Sequence, residues 1–181
     1  MRKIIIAVFC SILFLSQAVL ANIYASEKIT SFTANIQVKE DGRIQIEESI
    51  NYDFGGEMRH GIYWKIPLSK VNNNKKKYRL EIKKIIVTDN LGKSYPFSQS
   101  YQGDNLQLKI GNANSYVSGE KLYKINYEIA GAITYFSDHD ELNWNIIGNG
   151  WEVPIASANA TINFPQTINQ DRKSTRLNSS H

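Results

Sequence analysis

The densest chemistry in the chain is the run Asp138, His139, Asp140 and Glu141, three carboxylates and an imidazole in four residues. Oxygen and nitrogen ligands of this kind suit a divalent cation. In an extended segment alternate side chains leave opposite faces, so Asp138 neighbours Asp140, and His139 neighbours Glu141. The run lacks the twelve-position calcium-loop pattern and every H-x-x-x-H zinc pattern. Turn capping by solvated carboxylates is therefore the expected role, and no metal is assigned.

His60 is the other histidine of the central sequence, and neither it nor His139 lies near a G-x-S-x-G elbow or a reactive cysteine. Serines are so numerous that a Ser-His-Asp set could be assembled at will, which empties it of meaning. The carboxylate separation of ~5 to 9.5 Å that distinguishes glycosidases is not written in a sequence. No catalytic residue and no cofactor is assigned.

The aromatic residues Tyr63, Trp64, Trp144 and Trp151 stand among glycines, where flat rings could form a surface for a sugar or a protein. Trp144 and Trp151 are expected to plug the core, their indole N–H groups meeting backbone partners, while Trp64 is open to either role. The candidate binding set is thus His60, Tyr63, Trp64, Asp138, His139, Asp140 and Glu141.

These residues need a scaffold, and the periodicity supplies strands. Phe32, Ala34, Ile36 and Val38 alternate with polar residues, Glu40-Asp41-Gly42 turns the chain, and Ile44, Ile46, Glu48, Ile50, Tyr52 and Phe54 alternate again. That pattern is a hairpin. Further strands are expected at Tyr78–Thr88, Asn105–Ile110, Leu122–Ile129 and Ala158–Phe164, separated by turn signals such as Asp89-Asn90-Leu91-Gly92 and Gly103-Asp104-Asn105. No stretch of helical length has apolar residues at i, i+3, i+4 and i+7. An all-β fold follows, an antiparallel β-sandwich in one domain, with a β-barrel as the alternative.

The two ends stand apart from this domain. Arg2 and Lys3 precede an apolar run from Ile4 to Leu15 and a small-residue stretch ending at Ala21, the pattern of a secretory signal peptide over 1–21, with cleavage after Ala21 or Ala25. Cys10, the single cysteine, lies inside it. The last eleven residues, Asp171–His181, have no β alternation and read as a translated sequencing adapter. The domain is therefore taken as 22–170, about the size of one ordinary core. It carries sixteen basic and sixteen acidic residues, so the overall excess of +4 resides in the two ends. A neutral domain gives no footprint for nucleic acid.

Two less regular segments carry the family signal: Phe54–Pro67 with His-Gly-Ile-Tyr followed by Ile-Pro, and Tyr135–Ile155 with Asp-Glu-Leu-x-Trp-Asn leading to Gly-x-x-Trp-x-Val-Pro-Ile. Together with the strand pair before them, over nearly all of Ile29 to Pro165, they resemble the YciQ-type family of predicted membrane proteins, whose N-terminal extracytoplasmic domain is of unknown function. The pattern places a basic residue after the tyrosine, where this chain has Trp64, with Lys65 one position on. The resemblance implies a signal peptide, this domain, one or more transmembrane helices and often a low-complexity cytoplasmic tail. It implies an exported, membrane-anchored module that binds protein or envelope polymer or has a structural role. An envelope hydrolase or metal-dependent site around Asp138–Glu141 is the alternative.

Overall fold

The computed structural model describes residues 26–72, 75–148 and 150–165. The expected leader at 1–21 and the stretch at 171–181, expected to be a sequencing adapter, lie outside the described residues. Among those described there is no helix, and the strands form four open sheets, none closed into a barrel.

The expected hairpin is β1 (Lys28–Val38) with β2 (Ile44–Asp53), antiparallel from Lys28 opposite Asp53 to Val38 opposite Ile44. Its turn forms because Lys39 N–H donates to the Arg43 carbonyl at 2.8 Å, Gly42 adopts φ +76°, and the Asp41 carboxylate accepts from the Arg43 N–H at 3.1 Å. The apolar sets of both strands are buried as the alternation requires, including Phe32, Ala34, Ile36, Ile44, Ile46 and Ile50. Each large aliphatic side chain so buried contributes about 1.5–3 kcal/mol.

The third strand, β3 (Gly61–Pro67), falls in a segment read from the sequence as irregular. It alternates all the same, with Ile62, Trp64 and Ile66 buried and Tyr63 and Lys65 outward. The adjacent aromatics Tyr63 and Trp64 hid the period. The expected strand Tyr78–Thr88 divides instead. β4 (Ser69–Val71) pairs with β5 (Lys77–Arg79), Leu80 N–H donates to the Leu68 carbonyl at 2.6 Å, and the chain then enters β6 (Glu81–Thr88). The partner changes at Leu80, so one apolar run serves two sheets.

β7 (Phe97–Gln102) and β8 (Asn105–Gly111) form the next hairpin, and β9 (Glu120–Ala130) pairs along all of β2. The short hairpin β10 (Ile133–Tyr135) with β11 (Asp140–Leu142) follows. After an irregular crossing, β12 (Ala158–Asn163) lies parallel to β1. The large sheet has the order β12-β1-β2-β9-β6 and the smaller one β3-β8-β7. One apolar cluster draws on both, joining Ile36, Ile46 and Ile125 to Ile62, Leu106 and Leu108.

Gly61 and Gly111 sit opposite each other where β3 and β8 begin their pairing, at φ +132° and +134°. A Cβ on Gly61 would fall 1.9 Å from the Ile110 carbonyl oxygen, and one on Gly111 would fall 1.9 Å from that of His60. Gly92 also has positive φ, +78°, but nothing within 4 Å of its Cβ position. Gly61→Ala is therefore expected to cost about 3 kcal/mol or more, from backbone strain plus collision. Gly92→Ala should cost only about 1 kcal/mol, for the left-handed conformation alone. Urea denaturation of both variants checks this, and equal costs would contradict the close approach.

Candidate functional site

The candidate residues lie at three places: one end of the large sheet, its other end, and the apolar core. At the first end, Arg59 bridges to Val117 through Arg59 N–H to Val117 O at 3.0 Å and Val117 N–H to Arg59 O at 2.7 Å. This holds His60 against the loop before β9. The His60 Nδ1 lies 3.0 Å from the Ser115 carbonyl, which only accepts, so Nδ1 is the donor of this bond. Its ring stacks on Tyr116 at 4.3 Å, and Tyr116 and Met58 are both exposed. Beside them, the Glu27 carboxylate accepts from Tyr52 Oη at 2.6 Å and pairs with Arg59. Burial, followed by Glu27, raises the Tyr52 phenol above its ordinary value. Tyr63 is 51% exposed, on the outer face of β3 opposite Lys109.

At the other end, Asp138 and His139 form the turn of the β10–β11 hairpin, closed by Phe136 N–H to the His139 carbonyl at 2.9 Å. His139 Nδ1 lies 2.9 Å from Asp138 Oδ1, and the His139 ring stacks on Phe136 at 4.5 Å. The hydrogen bond from His139 lowers the Asp138 pKa. Asp140 pairs across the hairpin with Tyr135 and Glu141 with Thr134, and all four residues of the run are exposed. The turn thus joins Asp138 to its neighbour His139, in place of the alternate pairs an extended chain would give. Among the described residues no group of three His, Cys, Asp or Glu is placed to hold a metal ion.

His60 is not near this run. The hydroxyl of Tyr135 sits against Gly42, at the Ile44 end of β2, whereas Phe54 N–H donates to Gly119 O at the Asp53 end, leading into Arg59 and His60. The ten residues of β2 separate these ends by roughly 30 Å at about 3.3 Å per residue. Two open depressions, of about 330 and 460 Å³, are lined by other residues, among them Lys77, Arg79 and Asp104 in one and Asp89, Glu120 and Lys121 in the other.

The third place is the core. Trp64, a candidate for a binding surface, is 3% exposed and turned inward. Its Nε1–H donates to Glu48 Oε2 at 2.7 Å, and Tyr127 Oη is hydrogen-bonded to Glu48 Oε1. Trp64 and Tyr127 also meet edge to face, with centroids 5.1 Å apart. Burial raises the Tyr127 phenol well above its ordinary value, the Glu48 carboxyl adds to the rise, and Trp144 acts in the opposite sense. Trp144 and Trp151, expected to plug the core, are half-buried at its rim and pack against it, with Trp151 Nε1–H donating to the Ile147 carbonyl at 3.0 Å. They ride on the crossing between β11 and β12, which Lys70 fastens through its Nζ to the carbonyls of Ala132 and Asn143 at 2.8 and 2.5 Å. Burial lowers the pKa of that amine.

Glu48 carries no role in the sequence reading, although it was visible as the single carboxylate in the inward set of β2. It is 3% exposed, and burial raises its pKa to about 7 against the two donors, which pull it down.

Residues 28–179 match the predicted membrane protein (DUF2207) N-terminal domain family. The chain belongs to this family. The match runs past Gln170 into the stretch read as foreign. The chain is similar to the uncharacterized protein YciQ of Escherichia coli strain K12, 24% identical over 140 residues, covering 76% of this chain and 22% of that protein. It thus spans about a fifth of its relative's length. Two solved structures share local likeness: native yeast LTA4 hydrolase, 13% identical over 59% of this chain and 15% of that one with a TM-score of 0.37, and an M1 zinc metallopeptidase of Deinococcus radiodurans, 8% identical over 57% of this chain and 20% of that one at 0.35. No helix among the described residues is long and apolar enough to cross a membrane.

The Glu48 environment has a pH signature. Folded, the carboxyl holds its proton to about pH 7; unfolded, it releases it near 4.5. Its contribution is therefore fully present below the unfolded value and lost as pH rises through 7, a decline of about 3 kcal/mol. Glu48→Gln should remove that decline. Denaturation curves of both proteins from pH 4 to 8 measure the difference, and parallel pH profiles would show that Glu48 does not titrate in the interior.

Proposed function

We propose that this domain is a membrane-tethered binding or structural module, displayed outside the cytoplasmic membrane as two sheets packed face to face. The shared apolar cluster and the Trp64 to Glu48 bond between β3 and β2 support the sandwich reading. Membership of a predicted membrane protein family supports the tether. The leader pattern at 1–21 supports export, and the domain itself is taken as 22–170.

One observation carries the choice of a binding module over a hydrolase: the residues able to do chemistry lie at opposite ends of the large sheet. Acid–base catalysis needs its groups within hydrogen-bond reach of one reacting centre, and roughly 30 Å of strand parts His60 from Asp138–Glu141. The buried carboxyl does not fill the gap, because both its oxygens are engaged by Trp64 and Tyr127. What the surface offers is contact area: Met58, Tyr116 stacked on His60, and outward Tyr63. Exposed aromatic rings of this kind suit a protein or an envelope polymer, because they bury large area at low conformational cost.

Capture from native membranes with the intact gene product tests this reading. Wild type should retain a partner that the Tyr63→Ser, Tyr116→Ser double variant loses, while Asp138→Ala, His139→Ala retains it. Loss of capture only in the second pair would move the site to the acidic hairpin.

A further inference from the structure

Strand β7 is a sheet edge without the usual protection. It ends the order β3-β8-β7, and among the described residues no strand pairs with its other side. Its residues Phe97-Ser98-Gln99-Ser100-Tyr101-Gln102 are all exposed, and none is charged. Sheet edges are ordinarily blunted against further pairing by charge, proline or a bulge. The edge strand β6 has such devices, with Glu81, Lys83 and Lys84 and a register break between Lys83 and Ile86. On β7 the Gly111 N–H donates to the Pro96 carbonyl at 2.9 Å, which fixes the phase of the ladder with β8. Hydrogen-bonded pairs alternate along antiparallel strands. Ser98, Ser100 and Gln102 therefore bond to β8, while Phe97, Gln99 and Tyr101 turn their backbone N–H and C=O groups to the open edge.

We infer that this edge joins two copies of the chain, β7 antiparallel to β7, about a two-fold axis at Gln99. The segment Phe97–Tyr101 reads aromatic-Ser-Gln-Ser-aromatic in both directions. A two-fold interface sets one surface against itself and so demands this symmetry, which a strand from an unrelated partner does not. With Gln99 opposite Gln99 of the second copy, Phe97 faces Tyr101 and Ser98 faces Ser100, pairs of the kind that stabilise neighbouring strands. The same register brings the open groups of Phe97, Gln99 and Tyr101 into phase, two bonds from each facing pair and roughly six in all. A slip of one residue sets open groups against groups already bonded to β8. Phe97, Gln99 and Tyr101 stand beside Ile110, Leu108 and Leu106 on the core side, so the pairing also extends the apolar layer. The Tyr101 ring is steadied for it by the Arg79 guanidinium, 4.7 Å from its centroid. The uncharged edge strand β12, Ala158-Asn159-Ala160-Thr161-Ile162-Asn163, has no such symmetry. A strand pair of this length falls below the ~1,200 Å² of a standard interface, so the dimer is a weak one. It carries Tyr63 of both copies on one outer face, whatever that residue contacts.

Sedimentation equilibrium of the chain with Cys10→Ser, taken up to about 1 mM, tests it. The average mass should rise with concentration towards that of a dimer. Gln99→Lys and Gln99→Glu each set a charge against its own image, and each should weaken association about tenfold or more. An equimolar mixture of the two should restore it, because opposite charges then meet. Thr161→Lys, on the edge of β12, should leave it unchanged. Gln99→Cys should cross-link to itself in oxidised glutathione, since facing Cα atoms of a hydrogen-bonded pair lie ~5.5 Å apart, within disulfide reach. That reading stands even where a charge at 99 unfolds the domain. Protein that stays monomeric throughout, or association that survives both charges at 99, would overturn the inference. Loss of association in Thr161→Lys alone would overturn it by moving the contact to β12.

Discussion

A carboxyl group sits where the apolar layer should be unbroken, and the neighbouring parts of the fold answer to it. Placing Glu48 inside removes its water, a penalty large enough to raise its pKa to about 7. The donors that offset this come from different strands: the Trp64 indole from β3 and the Tyr127 phenol from β9. Because hydrogen bonds are directional and apolar contacts are not, this pair fixes the position of β3 relative to β2 and β9. A shift of β3 by one residue would turn Trp64 out and bring Tyr63 or Lys65 in. Trp144 packs against the same core from the crossing that leads to β12, and Lys70 Nζ ties that crossing down through the Asn143 carbonyl.

The two family segments take on separate meanings once they are seen around this group. In His-Gly-Ile-Tyr-Trp, His60 caps one end of the sheet, Gly61 allows the backbone to meet Gly111, Ile62 enters the core, Tyr63 faces outward and Trp64 reaches Glu48. In Asp-Glu-Leu-x-Trp-Asn, the carboxylates belong to an exposed hairpin while Leu142 and Trp144 pack on the core. Much of what looks like a chemical motif is thus architecture. Met58 and Tyr116 near His60, and Tyr63 on the outer face of β3, stay exposed.

Legibility followed the physics of each element. The hairpin of β1 and β2, the strand β9 and the inward sets of all three could be read from period-two alternation, because one face is buried and the other wet. β3 was hidden by adjacent aromatics with opposite destinations, and β7 by having no buried residue at all. The break at Leu80 was invisible because partner exchange leaves no mark on hydrophobicity. Trp64 could not be assigned from type alone, since a buried indole needs an acceptor and that acceptor, Glu48, lies sixteen positions away on another strand. Glu48 itself was the clearest signal left unread: a carboxylate in an otherwise apolar set predicts a buried acceptor with donors facing it. The separation of His60 from Asp138–Glu141 depends on strand length and topology, which residue types do not encode.

The carboxyl of Glu48 can be observed directly. Carbon-detected NMR of the side-chain carboxyl, followed from pH 4 to 9 in the folded protein, reports its own protonation free of every other titrating group. A midpoint near 7, well above the ordinary 4.5, is the result expected of a group buried in the core and held by Trp64 and Tyr127. A midpoint at the ordinary value would mean that water reaches it, and that the two sheets are not joined through this group.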